Sequence, residues 1–312
     1  MIDTYNENIY VVMYHYVREI KKSKYPNIKG LEFSDFKNQI LYFKKNFNLL
    51  SNNQFVEIIN SKKVPKKKSI LLTFDDGYKD HINYVFPFLK KHKICANFYP
   101  PIVTAQNKKV LDVNKIHFIL EKEKNKEKIL NLIFLYVKKF LNKDSEQIQI
   151  NKINLENRYD DKKITLIKRL LQDWLPEPYR KKIVNLIFSE IVNVDEEEFS
   201  KILYMNKANL KELYDSNFTI GSHGNNHFWS ETLNKKDQEK EIKISIDYFK
   251  KIGVYDENFS VCYPYGSYNL DTFDILKKFK IKFALTTKLG VLNNKNLSNV
   301  FEIPRVDTND FK

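Results

Sequence analysis

Five residues, Thr73-Phe74-Asp75-Asp76-Gly77, follow the apolar run Ser69-Ile70-Leu71-Leu72, which reads as a buried strand. Two adjacent carboxylates at the mouth of a strand are costly, because like charges repel and desolvation penalises both. A cation beside them removes the cost. Ligands of a matching kind come much later, in Ser222-His223-Gly224-Asn225-Asn226-His227. His223 and His227 are four apart, so one turn of helix or a tight loop presents both to a single ion. Imidazole suits zinc and its first-row neighbours. With Asp76 as the carboxylate, the set has three ligands and leaves a position open for water, as catalytic zinc requires. Such an ion lowers the pKa of bound water and polarises a carbonyl. Asp75 is then free to take the water's proton as general base. Alone, an Asp-Asp pair is usually a turn or cap, and two histidines four apart are usually a surface pair. Together, each just after a strand, they imply a metal-dependent hydrolase.

The elements that must position these residues follow from the apolar pattern. Strands are expected at Ile9 to Tyr14, with His15 at the end, and at Ile70 to Phe74, Ile94 to Tyr99, Phe218 to Gly221, Phe259 to Tyr263 and Lys282 to Thr286. Helices are expected at Ser34 to Phe47, with Ser34 as N-cap, at Tyr84 to His92, Asn209 to Ser216, Lys236 to Ile252 and Leu270 to Phe279. Gly253 is placed to end its helix in the left-handed conformation. Between Gln106 and Met205 the rhythm changes to helical stripes: Ile129, Ile133 and Val137 on a helix drawn from Glu121 to Leu141, then Ile164, Ile167, Leu170 and Trp174, then Ile183, Ile187 and Ile191. This reads as a helical insertion on an α/β frame. Alternating strands and helices imply parallel strands with right-handed crossovers, whose chemistry gathers at the strands' C-terminal ends. Asp75, Asp76, His223 and the turn Pro264-Tyr265-Gly266 all fall there.

Composition narrows the class further. The 312 residues are long enough for a full core, and 42% are hydrophobic, so the chain is globular. The net charge of +14 comes almost wholly from lysine. An acidic partner is one reading. A general bias toward Lys, Asn and Ile is the stronger one, since the lysines are scattered apart from Lys66-Lys67-Lys68. The aromatic-basic interleaving of RNA binders is missing, so no nucleic-acid partner is expected. Cys95 and Cys262 sit in separate apolar runs, which argues against a disulfide framework. The N-terminus, Met1 to Asn8, is polar, and the apolar run after it is too short for a signal peptide or a membrane span. A cytoplasmic protein without a transmembrane segment is therefore expected. His81 and His92 read as surface residues, and Lys115 and His117 as a solvated helix face. Trp229 stacks on a sugar ring or packs internally.

With these residues in place, the chain resembles the polysaccharide deacetylases, the NodB-homology group or carbohydrate esterase family 4. Thr73 to Gly77 and His223 to His227 match the first two motifs in order and spacing, and Tyr263-Pro264-Tyr265-Gly266 looks like the third. Met13-Tyr14-His15, Leu285-Thr286-Thr287 and Ile303-Pro304-Arg305 resemble the branch acting on surface polysaccharides and biofilm glycans. The likeness covers Ile9 to about Tyr99 and Asn209 to about Arg305. It implies an α/β fold: a distorted (β/α) barrel of about seven parallel strands, one domain over residues 1–312 with a helical insertion at about 106–206. It implies hydrolysis of N-acetyl groups from the amino sugars of a glycan or a surface-polysaccharide intermediate, with release of acetate. Asp75 would be the catalytic base, and Asp76, His223 and His227 the ligands of Zn2+ or another divalent first-row metal. The backbone N–H of Tyr265 would hold the oxyanion.

Three positions depart from the family pattern. Gly224 stands where Ser or Thr is usual, which removes a hydroxyl that would brace the loop but no ligand. Cys262 stands where an Arg often orients the base, so another group must hold Asp75, and Arg305 is the candidate. No histidine follows His227, although the family's late motif carries its general acid on one. His15 either takes that role or is a buried histidine bonded for structure. Two rival functions remain: an amidohydrolase of this fold acting on a non-glycan amide, and a glycan-binding protein without catalysis. The missing Arg and late His favour the second, and the intact ligand pairs oppose it.

Overall fold

The computed structural model describes residues 8–311, apart from residues 107 and 145; the polar N-terminal segment, residues 1–7, lies outside the described residues. The chain divides into two compact units. One holds the chain up to Glu19, Gly30–Lys109 and the chain from Ser200 onward; the other holds Ile20–Lys29 and Val110–Phe199.

The first unit is built on seven parallel strands: β1 (Ile9–Tyr14), β2 (Ser69–Asp75), β3 (Asn97–Tyr99), β4 (Thr219–Ile220), β5 (Val261–Cys262), β6 (Ala284–Leu289) and β7 (Ile303–Asp307). Their order is β4-β3-β2-β1-β7-β6-β5, with a short strand, Asn48–Leu49, also paired to β2. A parallel bridge between Ser222, just past β4, and Val261 of β5 joins the two ends of the sheet. The Cys262 N–H donates to the Ser222 carbonyl there at 2.8 Å. The expected distorted barrel of seven strands is thus observed.

Strands buried on both faces need continuous apolar runs, and β1 and β2 have them. Ile9, Val11 and Leu71 point into one cluster with Leu285 and Ile303, whereas Tyr10, Val12, Ile70, Leu72 and Phe74 meet the surrounding helices. Phe55, Val56 and Ile59 of helix Asn52–Ser61 join the interior cluster. Asn52 ties that helix to the strands' N-terminal ends, through Asn97 at the start of β3 and the carbonyl of Asn258 ahead of β5. The polar residues gather at the C-terminal ends of β2, β5 and β7.

Several elements differ from the sequence reading. The N-cap of helix Phe33–Asn46 is Glu32, two residues ahead of the expected Ser34, so Ser34 lies inside its first turn. Strands β3 and β5 are shorter than their apolar runs. Strand β7 was not expected, because Pro304 lacks a ladder N–H; the sheet absorbs it with a register shift between Ile303 and Arg305. His81 is buried, not exposed. Its ring lies among Phe74, Tyr78 and Phe98, and its Nε2 bonds the His15 carbonyl at 2.9 Å. Burial lowers its pKa to about 4, so it is neutral in the fold. The chain from His81 to Val85 forms a π-turn that runs directly into helix Phe86–Lys91, with Pro87 just past the junction.

The second unit is helical; within residues 110–199 no described residue belongs to a strand. The stripe drawn from Glu121 to Leu141 is split into helices Asp112–Lys122 and Lys126–Leu141. Asn125 caps the second by accepting from the N–H groups of Glu127 and Lys128. Ile129, Ile133 and Val137 are buried, as are Ile183 and Ile187 on helix Glu177–Ile191. Lys115 is buried rather than solvated, its Nζ 2.7 Å from Glu196 and 2.6 Å from Asn185. Among the described residues, no helix is long and apolar enough to cross a membrane.

Candidate active site

Asp75 is the last residue of β2, and the two residues after it turn the chain sharply. Asp76 has φ 67° and Gly77 φ 70°, both left-handed. A Cβ at position 77 would lie 2.7 Å from the Cβ of Pro100, so only glycine fits. The turn aims the two neighbouring carboxylates at different partners.

Asp76 faces the histidines. Its Oδ1 lies 3.6 Å from His223 Nε2 and 3.5 Å from His227 Nε2, and the two nitrogens are 3.2 Å apart. All three side chains are buried. The His223 Nδ1–H donates to the Cys262 carbonyl at 2.7 Å, which leaves the Nε2 lone pair directed at Asp76. Burial, reinforced by the neighbouring His223, lowers the pKa of His227 to about 3 and keeps it neutral. Burial alone would raise the Asp76 pKa, and the hydrogen bond from the Tyr78 hydroxyl favours the charged form. One anionic oxygen and two nitrogen lone pairs converging in a buried site repel one another unless a cation joins them. Donors on a tetrahedral ion with bonds near 2.1 Å stand about 3.4 Å apart, so the spacing fits such an ion.

The loop carrying the imidazoles is strained and braced. Gly224 has φ 75° and His227 has φ 60°. The Glu241 carboxylate accepts from the backbone N–H of Asn225 at 3.1 Å and of Asn226 at 2.7 Å, and from the Asn226 side chain at 2.6 Å. The Ser222 hydroxyl accepts from the Gly224 N–H at 3.0 Å. These groups brace the loop although position 224 carries no hydroxyl.

Asp75 is held by Arg305 of β7. The guanidinium donates from Nη1 to Oδ1 at 3.0 Å and lies 2.8 Å from Oδ2 through Nη2, a two-pronged contact buried on both sides. Its Nε–H donates to the Thr286 carbonyl at 2.7 Å. The Cys262 thiol donates to Asp75 Oδ2 at 3.4 Å. Burial penalises the Asp75 charge, but Arg305 outweighs the penalty and holds the carboxyl well below the usual range. A second grouping, Asp75 with His223 and Cys262, also has its ligand atoms close together. It is the poorer metal site, because Arg305 already occupies Asp75, and burial keeps the Cys262 thiol protonated.

His15, just past β1, stands at the mouth with its Nε2 3.9 Å from Asp75 Oδ2 and its side chain 42% exposed. Its ring is therefore not the buried structural histidine of the alternative reading. Tyr265 is held at φ 58° in the turn Pro264–Gly266 after β5. Its ring meets His227 edge-on, with centroids 4.7 Å apart, and stacks on Trp229 at 4.4 Å and 4°. Trp229 is thus packed on the turn that presents Tyr265. The structure brings Asp75, Asp76, His15, His223, His227, Tyr265 and Arg305 to one end of one barrel.

Tyr78 and Glu241 were not found by sequence reasoning. Glu241 has no local signal, since its partners lie fifteen and sixteen residues earlier. Tyr78 follows the left-handed pair directly, and its hydroxyl donates to Asp76 Oδ2 at 2.6 Å, leaving Oδ1 for the imidazole side. Outer hydrogen bonds of this kind typically change metal affinity by about 10–100-fold. Tyr78→Phe should therefore weaken divalent-ion binding by that factor while the fold is kept, as measured by competition with a chromophoric chelator.

The family model for polysaccharide deacetylase matches residues 62–116 and 182–284. Among solved structures, the Streptococcus pyogenes deacetylase PplD, determined in complex with acetate, is similar over 97% of this chain and 92% of its own, with a TM-score of 0.61 and 17% identity. IcaB from Ammonifex degensii is similar over 97% and 92%, with a TM-score of 0.58 and 15% identity. The deacetylase domain of BpsB from Bordetella bronchiseptica is similar over 98% and 97%, with a TM-score of 0.52 and 15% identity. At these identities the likeness is one of fold. No curated protein matches the chain.

Proposed function

The chain belongs to the polysaccharide deacetylase family, hydrolases of the amide bond of N-acetyl groups, and from that premise we propose that it is a metal-dependent deacetylase of amino sugars in a glycan or surface-polysaccharide intermediate. The observation that carries the metal dependence is the convergence of Asp76 Oδ1 with the Nε2 atoms of His223 and His227, all 3.2–3.6 Å apart. Those three residues would hold a divalent first-row ion, zinc first among them. When bound, the ion supplies Lewis acidity and water of lowered pKa.

The remaining roles belong to the chain's own groups. Asp75 takes a proton from the attacking water as the new C–O bond forms. Arg305 keeps Asp75 ionised and aimed, which a base must be before it can accept a proton. The N–H of Tyr265, in its constrained turn, serves as a donor to the developing oxyanion. His15 is partly exposed and on the Asp75 side, and it protonates the leaving amine as the C–N bond breaks. The products are acetate and the free amino sugar.

The test is acetate release from N-acetylglucosamine oligomers. Turnover should disappear after chelation and return with added zinc or a neighbouring divalent ion. His223→Ala should lose both the ion and turnover. Hydrolysis of small amides but not of the oligomers would transfer the activity to a non-glycan amide. Oligomer binding without acetate release, at full metal loading, would make the protein a glycan-binding module.

A further inference from the structure

In a barrel of parallel strands, the segments that lead into the strands and the C-terminal ends of the barrel helices share one end, opposite the active site. That end carries a strong excess of lysine. Four helices of this unit finish in a lysine pair, as in Lys44-Lys45 and Lys277-Lys278. The helix dipole explains such pairs one helix at a time. It does not explain Lys66 and Lys67, which are exposed and lie in a loop at the same end; Lys93 and Lys280, also exposed, stand just past helix ends there. Among the described residues the carboxylates there are fewer than the lysines: Glu57, Asp215, Asp256, Glu257 and Glu302, with Glu239 reaching Lys278. Of all these lysines, among the described residues, only Lys278 has a carboxylate partner, Glu239. A general bias in residue usage would place lysines at both ends alike. At the active-site end, Lys235 meets Asp271 and Asp274.

We propose that this end of the barrel docks on an anionic lipid bilayer, with the active site facing away from it. The occupant is chosen by two apolar side chains. Leu41 and Tyr42, 45% and 56% exposed, stand in the final turns of helix Phe33–Asn46 beside Lys44 and Lys45. An aliphatic and an aromatic group next to lysines suit the boundary between headgroups and acyl chains. A soluble polyanion would gain nothing from Leu41. Each lysine near an anionic surface contributes about fivefold in affinity. The inference rests on the charge distribution and does not depend on the proposed activity.

The experiment is sedimentation of the full chain with vesicles of phosphatidylcholine containing 30% phosphatidylglycerol, against pure phosphatidylcholine. Binding should require the anionic lipid and be lost in about 0.5 M salt, where charges are screened within a few ångströms. Lys66→Glu with Lys67→Glu should weaken it by about tenfold or more. A charge-matched change at the other end, Lys207→Glu with Lys236→Glu, should leave it unchanged. Leu41→Ser with Tyr42→Ser should weaken binding without altering its salt dependence. Circular dichroism of each variant secures the fold. Failure to sediment with the anionic vesicles, equal losses in the two charge-reversed proteins, or binding to a soluble polyanion alone would each overturn the proposal.

Discussion

Asp75→Asn should retain the divalent ion and reduce acetate release by about 10²–10⁴-fold, the usual contribution of a positioned general base. The two effects separate because the neighbouring carboxylates have separate partners. Asp76 faces His223 and His227, and Asp75 faces Arg305. An asparagine keeps the shape of Asp75 but cannot accept the water's proton, so the loss should lie in kcat. It also leaves the Arg305 charge without its counter-charge, and the melting temperature should fall. Activity and metal content therefore need to be measured where circular dichroism shows the variant folded. Unchanged acetate release would remove Asp75 as the base, and loss of the ion would mean that the two carboxylates act as one ligand set.

What the sequence disclosed here was local, and what it hid was long-range. The run from Ser69 to Gly77 shows strand, turn and carboxylates within nine residues, because a buried parallel strand needs an unbroken apolar stretch and a sharp turn needs glycine. The histidine loop was equally plain. Arg305 was a candidate only because another group had to hold Asp75; its contact spans 230 positions, and no local period reports such a pairing. Strand β7 was masked by Pro304, which the sheet tolerates at a register shift. Glu241 and Tyr78 were invisible because the loop and turn they brace have no regular period. His81 looked exposed because a polar residue beside a short helix usually is; an aromatic cage and the His15 carbonyl make it buried. The helix break at residues 123–125 was missed because Asn125 works as a cap, a role the apolar stripe does not reveal.

Arg305→Ala should destabilise the protein by about 3–5 kcal/mol, the usual cost of stripping one partner from a buried ion pair. Both groups are nearly inaccessible, at 1% and 2% side-chain exposure, so water cannot replace the guanidinium. In the intact protein the Asp75 carboxyl is held below its ordinary value, so its contribution is full above that value and is lost as the pH falls through the folded one. Without Arg305, burial, the strongest influence on the carboxyl, should outweigh the weaker pull of His223 and His15 and raise its pKa. The sign then reverses: Arg305→Ala should be most destabilised near neutral pH and approach the parent protein as acid protonates Asp75. Acetate release should fall too, because a base that carries its own proton cannot take another. Arg305→Lys tests the fork separately. It restores a charge but not the paired donors, so it should recover part of the stability and little of the activity. Asp75→Asn with Arg305→Met should be more stable than either single change, since no unpaired charge is left, yet remain inactive. Thermal melts at several pH values, taken beside acetate release, decide the matter. A pH-independent loss in Arg305→Ala would mean that the arginine merely fills space between β2 and β7, and the proposal that it keeps Asp75 poised as a base would fail with it.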